Sequence, residues 1–138
     1  MTVVYTGGCA CSRLRYRVAG EPVAMLDCQC RQCQRESGTG HQSHLVFQAA
    51  VVEQTGNATE WDLTGDGGTV KRRAFCPVCG SPVSMTFPSM PDIFIIRAAS
   101  LDDPALYKPT MITWTAAAHP WDARNPGMVS FSGMPTPD

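Results

Sequence analysis

The chain has 138 residues, of which 43% are hydrophobic and 17% are charged. This length suits one domain with its own core and is short for two. Eleven lysines and arginines against twelve acidic residues give a formal charge of −1, which argues against nucleic-acid binding because such proteins usually carry a basic excess. The chain shows neither a signal-peptide pattern nor an apolar run of about 18 residues, so we expect a cytoplasmic protein with no membrane partner.

The predicted elements are mostly short strands between turn signals. Arginines alternate with apolar residues over 13–18, which predicts a strand with one buried face, and a turn at 19–22 would return the chain into a partner strand over 23–26. Further strands are predicted over 44–48, 60–63, 69–75, 82–87 and 93–96. Helix signals are confined to a short segment over 33–37 ended by Gly38 and a turn begun by Asp103 and Pro104. The prolines after His119 predict an irregular tail, and the whole chain is expected to be one mainly β domain over 1–138.

All seven cysteines lie in three closely spaced groups: Cys9 and Cys11; Cys28, Cys30 and Cys33; Cys76 and Cys79. An odd number would leave one thiol over in a disulfide framework. Chelating spacings in a reducing cytosol indicate zinc instead. The pattern therefore predicts metal binding, with disulfides as the weaker alternative.

The spacings suggest how the ligands divide. Tetrahedral zinc needs sulfurs about 3.8 Å apart; a tight turn through Pro77 and Gly80 achieves this for Cys76 and Cys79, and residues i and i+2 of an extended chain do so for Cys9 and Cys11. These four cysteines would form a closed structural site. The alternative pairs Cys76 and Cys79 with two of the central three and leaves the first pair incomplete.

The remaining three cysteines, Cys28, Cys30 and Cys33, are called the trio below. Three protein ligands with an open fourth position are typical of a catalytic zinc. Two alternatives stay open: His41 or His44 closes the site, or the trio is reduced and metal-free. Asp27, Gln29 and Ser37 are candidates for proton handling beside it.

Basic residues concentrate near the cysteines. Eight of the eleven lie within seven residues of a cysteine: Arg13, Arg15, Arg17, Arg31, Arg35, Lys71, Arg72 and Arg73. They would either offset thiolate charge or hold carboxylates of an anionic substrate, as planar guanidinium groups do well. Arg31 and Arg35 are the first candidates for substrate binding.

Four segments carry a family resemblance. The stretches GGCACSRLRY, DCQCRQCQRESG and FCPVCGSPV, with SLDDP and ITW further on, resemble the glutathione-dependent formaldehyde-activating enzyme family, which also includes centromere protein V. The resemblance runs from about residue 5 to 121. It implies a β-tent fold of short antiparallel strands held together by zinc, a structural zinc on Cys9, Cys11, Cys76 and Cys79, and a second zinc on the trio. Two positions depart from the family pattern: Ser12 stands where glycine is common, and Gln29 where histidine is common.

The expected function is an enzyme of carbon–sulfur lyase type that acts on a glutathione or other thiol adduct. The trio would carry the chemistry, and Arg31 and Arg35 would hold the carboxylates of glutathione as co-substrate. The alternative is a non-catalytic zinc module that binds a protein partner. Neither the substrate nor the oligomeric state follows from the sequence.

Overall fold

Eleven strands and one α-helix make up the regular structure of this computed structural model, which describes residues 2–135. The strands are β1 Val4–Gly8, β2 Arg15–Ala19, β3 Ala24–Cys28, β4 Gln42–Gln48, β5 Val51–Thr55, β6 Thr59–Thr64, β7 Val70–Phe75, β8 Pro82–Thr86, β9 Ile93–Arg97, β10 Met111–Thr113 and β11 Val129–Ser130. The helix α1 spans Arg31–Ser37, and three single turns of 3₁₀-helix cover Ala98–Ser100, Pro104–Leu106 and Thr115–Ala117. The protein is mainly β.

The strands form two sheets. A three-stranded sheet has the order β1-β2-β5, and an eight-stranded sheet has the order β11-β10-β3-β4-β9-β8-β7-β6. The named pairs are antiparallel except that β10 runs parallel to both β3 and β11. Among the described residues, no helix is long and apolar enough to cross a membrane.

One face of the large sheet packs on the small sheet and forms the core. Leu45, Phe47 and Ile96 from the large sheet belong to the same buried cluster as Tyr16 and Val18 from the small one. All five are at most 3% exposed, and burial of this apolar area is the main stabilising term for the pair of sheets.

The opposite face of the large sheet carries several polar and charged residues. His44 is paired with Leu26 on β3 and with Arg97 on β9. Because side chains alternate along a strand, Cys28, two residues beyond Leu26, projects from this same face. The pairing of β9 with β8, β8 with β7 and β7 with β6 places Arg73 and Trp61 on this face as well.

The predicted strands over 44–48, 60–63, 69–75, 82–87 and 93–96 are present as β4, β6, β7, β8 and β9. The helix ends at Gly38, as predicted, and the φ of 78° at this glycine is left-handed. The pairing expected for 23–26 is wrong: β3 pairs with β4 and β10, whereas β2 pairs with β1 and β5. Up to residue 135 the tail is largely irregular but contributes β11, and the last part of the predicted tail, 136–138, lies outside the described residues.

Candidate metal centres

The first cysteine set joins distant parts of the chain. The sulfurs of Cys9, Cys11, Cys76 and Cys79 all lie within 4.8 Å of one another. The Sγ atoms of Cys9 and Cys11 are 3.6 Å apart, and so are those of Cys11 and Cys76. These separations are close to the roughly 3.8 Å between sulfurs on a tetrahedral zinc, so the four thiols fit a closed zinc site.

The turn after β7 explains how two of these sulfurs converge. The backbone N–H groups of Val78 and Cys79 point at the Sγ of Cys76, at 3.4 and 3.5 Å. Gly80 closes the turn with a φ of 77° and donates its N–H to the carbonyl of Cys76 at 2.9 Å. The turn thereby holds the sulfurs of Cys76 and Cys79 within 4.8 Å of each other.

The loop after β1 supplies the other two sulfurs. Leu14 donates its N–H to the Sγ of Cys9 at 3.3 Å, and Cys9 donates its own to the carbonyl of Leu14 at 2.9 Å. Ser12 lies within this loop with a φ of 67°. That is left-handed backbone, in which a glycine would carry no steric cost.

The second set is the trio, whose three sulfurs also lie within 4.8 Å of one another. Cys28 ends β3, and Cys30 is the N-cap of α1, its Sγ accepting the N–H of Cys33 at 3.3 Å. The end of β3 and the start of α1 therefore bring together three thiols that lie within six positions of the chain. The described cysteines thus gather as a set of four and a set of three, and not as a site that mixes Cys76 and Cys79 with the trio.

Proximity makes the trio thiols compete for charge. Hydrogen bonding from the side chains of Cys28 and Cys33 lowers the pKa of Cys30 to about 2. At Cys33 the effect is opposite, because hydrogen bonding with the side chains of Cys28 and Cys30 raises its pKa. A divalent cation removes this competition because it favours all three thiolates at once. The donor set therefore fits zinc, with three protein ligands.

His44 contacts the trio through Cys33. Its Nε2 lies 3.5 Å from the Sγ of Cys33, and its Nδ1 lies 2.9 Å from Nη1 of Arg97. Guanidinium nitrogens only donate hydrogen bonds, so Nδ1 must accept and Nε2 must carry the proton of the neutral ring. Burial first, and the charge of Arg97 second, lower the pKa of His44 to about 3. His44 therefore donates to sulfur and does not offer a lone pair to a metal.

His41 lies elsewhere. Its Nδ1 is 2.9 Å from a carboxylate oxygen of Asp122. Strand alternation puts the side chain of Asp27 on the opposite sheet face from Cys28, where it accepts hydrogen bonds from Ser43 and Tyr107 at 2.6 and 2.7 Å. Of the described residues, neither histidine belongs to a group that could hold a metal with the trio.

The other proton-handling candidates are engaged away from sulfur. Gln29 donates to Asp122 at 3.1 Å, and Ser37 donates to the carbonyl of Gln34 at 3.3 Å. Arg31 and Arg35 are both exposed on α1, where Arg31 donates to the side chain of Gln34. These two arginines are free to meet a ligand from solvent, and their role stays a prediction.

A buried charge network lies behind the trio. Glu36 on α1 forms ion pairs with Arg97 at 3.0 Å and with Arg73 at 2.5 Å. Arg73 and Arg97 are only 6% and 3% exposed. Buried charges of this kind need partners because desolvation is costly. Arg97 thus links Glu36 to His44 and, through the imidazole, to the sulfur of Cys33.

Fold and cysteine sets together define a mainly β domain with two cysteine clusters suited to zinc. A family model described as glutathione-dependent formaldehyde-activating enzyme matches residues 4–117. No curated protein matches the chain. A crystal structure of a Rhodobacter sphaeroides protein has a TM-score of 0.56 and 19% sequence identity, and the match covers 91% of this chain and 98% of that one. At this identity the likeness concerns the fold. The family match spans most of the chain, which belongs to the glutathione-dependent formaldehyde-activating enzyme family.

Proposed function

We propose that the protein is a zinc-dependent enzyme that makes and breaks a carbon–sulfur bond in an adduct of glutathione or another thiol. The observation that carries the proposal is the trio: three convergent thiols whose nearest histidine is turned away from metal ligation by Arg97. A donor set of three would leave one position of a tetrahedral zinc to a further ligand, which suits substrate binding rather than a purely structural role. Family membership supports the same chemistry.

Cys28, Cys30 and Cys33 would hold the zinc, which when bound supplies a Lewis acid for substrate sulfur. Three thiolates and one Zn²⁺ carry a net charge of −1, which disfavours further anionic oxygen ligands. Thiolate-rich zinc suits a soft, polarisable sulfur. The proposal is therefore exchange at sulfur, and not amide or ester hydrolysis.

Cleavage of a hydroxymethyl thioether requires neither an oxidant nor a reductant. The carbon–sulfur bond breaks, its electron pair stays on sulfur, the hydroxyl proton leaves, and the carbon becomes the carbonyl of formaldehyde. The protein itself would stabilise the trio thiolates. The Nε2–H group of His44 donates a hydrogen bond to the sulfur of Cys33, and Arg97 fixes the imidazole in that orientation. Arg31 and Arg35 would bind the carboxylates of glutathione from the exposed side of α1.

The seven cysteines are free thiols, which supports a reducing compartment such as the cytoplasm. A thiol or thiol adduct is then the proposed partner, and no nucleic-acid or membrane partner is proposed.

The test is catalysis of exchange between formaldehyde and glutathione, followed by NMR exchange spectroscopy with zinc-loaded protein. We expect faster interconversion of free and hydroxymethylated glutathione, lost in Cys33→Ser and kept in Arg17→Lys, an exposed change on β2. Equal rates with and without protein would remove this reaction from the proposal. If no thiol enters the trio either, the non-catalytic partner-binding module takes its place.

A further inference from the structure

A cavity of about 420 Å³ lies beside the buried charge network. Its volume falls in the range at which proteins bind small molecules. The lining includes apolar side chains, among them Trp61 and Phe75, and the charged side chains of Glu36, Glu60, Arg73 and Arg97. Among the described residues that line the cavity there is no cysteine, so it is distinct from both cysteine sets.

The buried charges beside this cavity are two arginines and one carboxylate. Arg73 and Arg97 share Glu36 as their ion-pair partner, whereas Glu60, which also lines the cavity, is exposed and pairs with an arginine outside the lining at 3.6 Å. Arg97 already meets both Glu36 and His44, at 3.0 and 2.9 Å. The charge that lacks a second partner is therefore that of Arg73, whose contact with an anion is the Glu36 ion pair alone among the described residues.

Unpaired hydrogen-bonding groups beside the cavity also indicate that Arg73 lacks a second partner. Within residues 2–135, Nη1 of Arg73 and Oε2 of Glu36 are buried and have no hydrogen-bond partner. Leaving such groups unpaired is costly, and most so for charged ones. Arg73 is 94% buried, lines the cavity and has an N–H group without a partner, which makes its guanidinium a suitable receptor for a carboxylate bound through two parallel hydrogen bonds.

Trp61 supplies the apolar side of the cavity. It is paired with Arg73 across β6 and β7, and the guanidinium carbon of Arg73 lies 5.7 Å from its ring centroid. The indole is nevertheless 52% exposed, so much of its surface remains uncovered. A flat apolar group would bury that surface against the ring.

We propose that this cavity binds a small carboxylate that carries a flat apolar group, with the carboxylate on Arg73 and the apolar group against Trp61. This site does not depend on the chemistry proposed for the trio. It lies on the same face of the large sheet as Cys28 and His44, and the ion pairs of Glu36 connect it to them.

The experiment titrates zinc-loaded protein with sodium benzoate at constant ionic strength. The three tryptophans give three indole N–H signals in ¹H–¹⁵N spectra, and Trp61→Phe identifies the signal of Trp61. Benzoate should shift that signal in a saturable way. Benzamide, which has the same shape and no charge, should bind about tenfold more weakly or worse, because a charge-assisted hydrogen bond contributes about 1.4 kcal/mol or more.

Arg73→Gln should abolish the preference for benzoate, whereas Arg72→Gln should keep it. Arg72 is the neighbouring residue on β7, and its side chain pairs with Asp62 at the surface. If Arg73→Gln does not fold, the comparison of benzoate with benzamide on the natural protein still tests the proposal. Equal shifts with both compounds, or none, would overturn the proposal and leave Arg73 as a counter-charge to the trio.

Discussion

Nη1 of Arg97 lies 2.9 Å from Nδ1 of His44, and this contact determines which imidazole nitrogen carries the proton. The arginine can only donate, so the proton is on Nε2, which faces the sulfur of Cys33 at 3.5 Å. The Nε2 proton of His44 therefore faces the sulfur, and in the proposed zinc site this would leave the fourth coordination position to another ligand. The open position would then depend on Arg97, which lies 53 positions further along the chain than His44.

His44→Gln and His44→Leu should separate this role from simple packing. An amide can accept from Arg97 and donate to Cys33, whereas leucine leaves a buried guanidinium nitrogen unpaired. We expect His44→Leu to lower the free energy of unfolding by about 1–3 kcal/mol and the zinc affinity of the trio by about 10–100-fold, measured by urea denaturation and competition with a chelator. His44→Gln should retain most of both. Equal zinc affinity in the leucine variant would show that the N–H···S contact has no influence on the metal.

The two cysteine sets should respond differently to loss of one ligand. Cys76→Ser removes a ligand from the set that joins the loop after β1 to the turn after β7, so we expect unfolding or aggregation because structural zinc contributes directly to folding. Cys33→Ser should remain folded and bind about one zinc ion fewer per chain. Circular dichroism and metal analysis of both variants provide the test. Comparable destabilisation of the two would contradict the division into a structural and an open site.

Ser12→Gly should stabilise the protein. Ser12 holds a φ of 67° in the loop that follows Cys11. A side chain in this left-handed conformation destabilises the folded state by about 1–2 kcal/mol. Glycine relieves this cost, but its greater freedom in the unfolded state offsets about 0.4–1 kcal/mol of the gain. The expected net gain is about 0.5–1 kcal/mol in urea denaturation. Ser89→Gly is the matched control, since Ser89 is exposed and has no positive φ. A gain of the same size in the control would mean that backbone strain at Ser12 is not the cause.

Arg31→Lys and Arg35→Lys test how glutathione is held. Lysine keeps the charge but lacks the bidentate fork of arginine, so we expect weaker glutathione binding by zinc-loaded protein in isothermal titration calorimetry. Arg17→Lys, on an exposed position of β2, should bind like the natural chain. Unchanged affinity in both helix variants would leave Arg31 and Arg35 with the role of offsetting thiolate charge.

The local signals in the sequence are sufficient for the strands that carry alternation or a continuous apolar run, such as β2 and β9, and for the end of α1 at Gly38. Pairing between strands is not local: β3 follows β2 in the chain, yet its partners are β4 and β10. The same limit applies to the site. Cysteine spacing predicts both sets, whereas Arg97 and Glu36 are 61 positions apart and meet only because α1 packs on the sheet. One signal was available, namely an arginine that directly follows the apolar run of β9 and continues its strand.

The most direct test of the open fourth position uses cobalt in place of zinc. Cobalt-substituted protein is titrated with glutathione, and the sulfur-to-cobalt charge-transfer band is followed. Our account predicts that the band grows as a fourth thiolate joins the trio, and that neither His41→Ala nor His44→Gln changes the spectrum recorded before glutathione is added. A spectrum that stays constant at millimolar glutathione, or a resting spectrum altered by either histidine variant, would show that the fourth position was already filled.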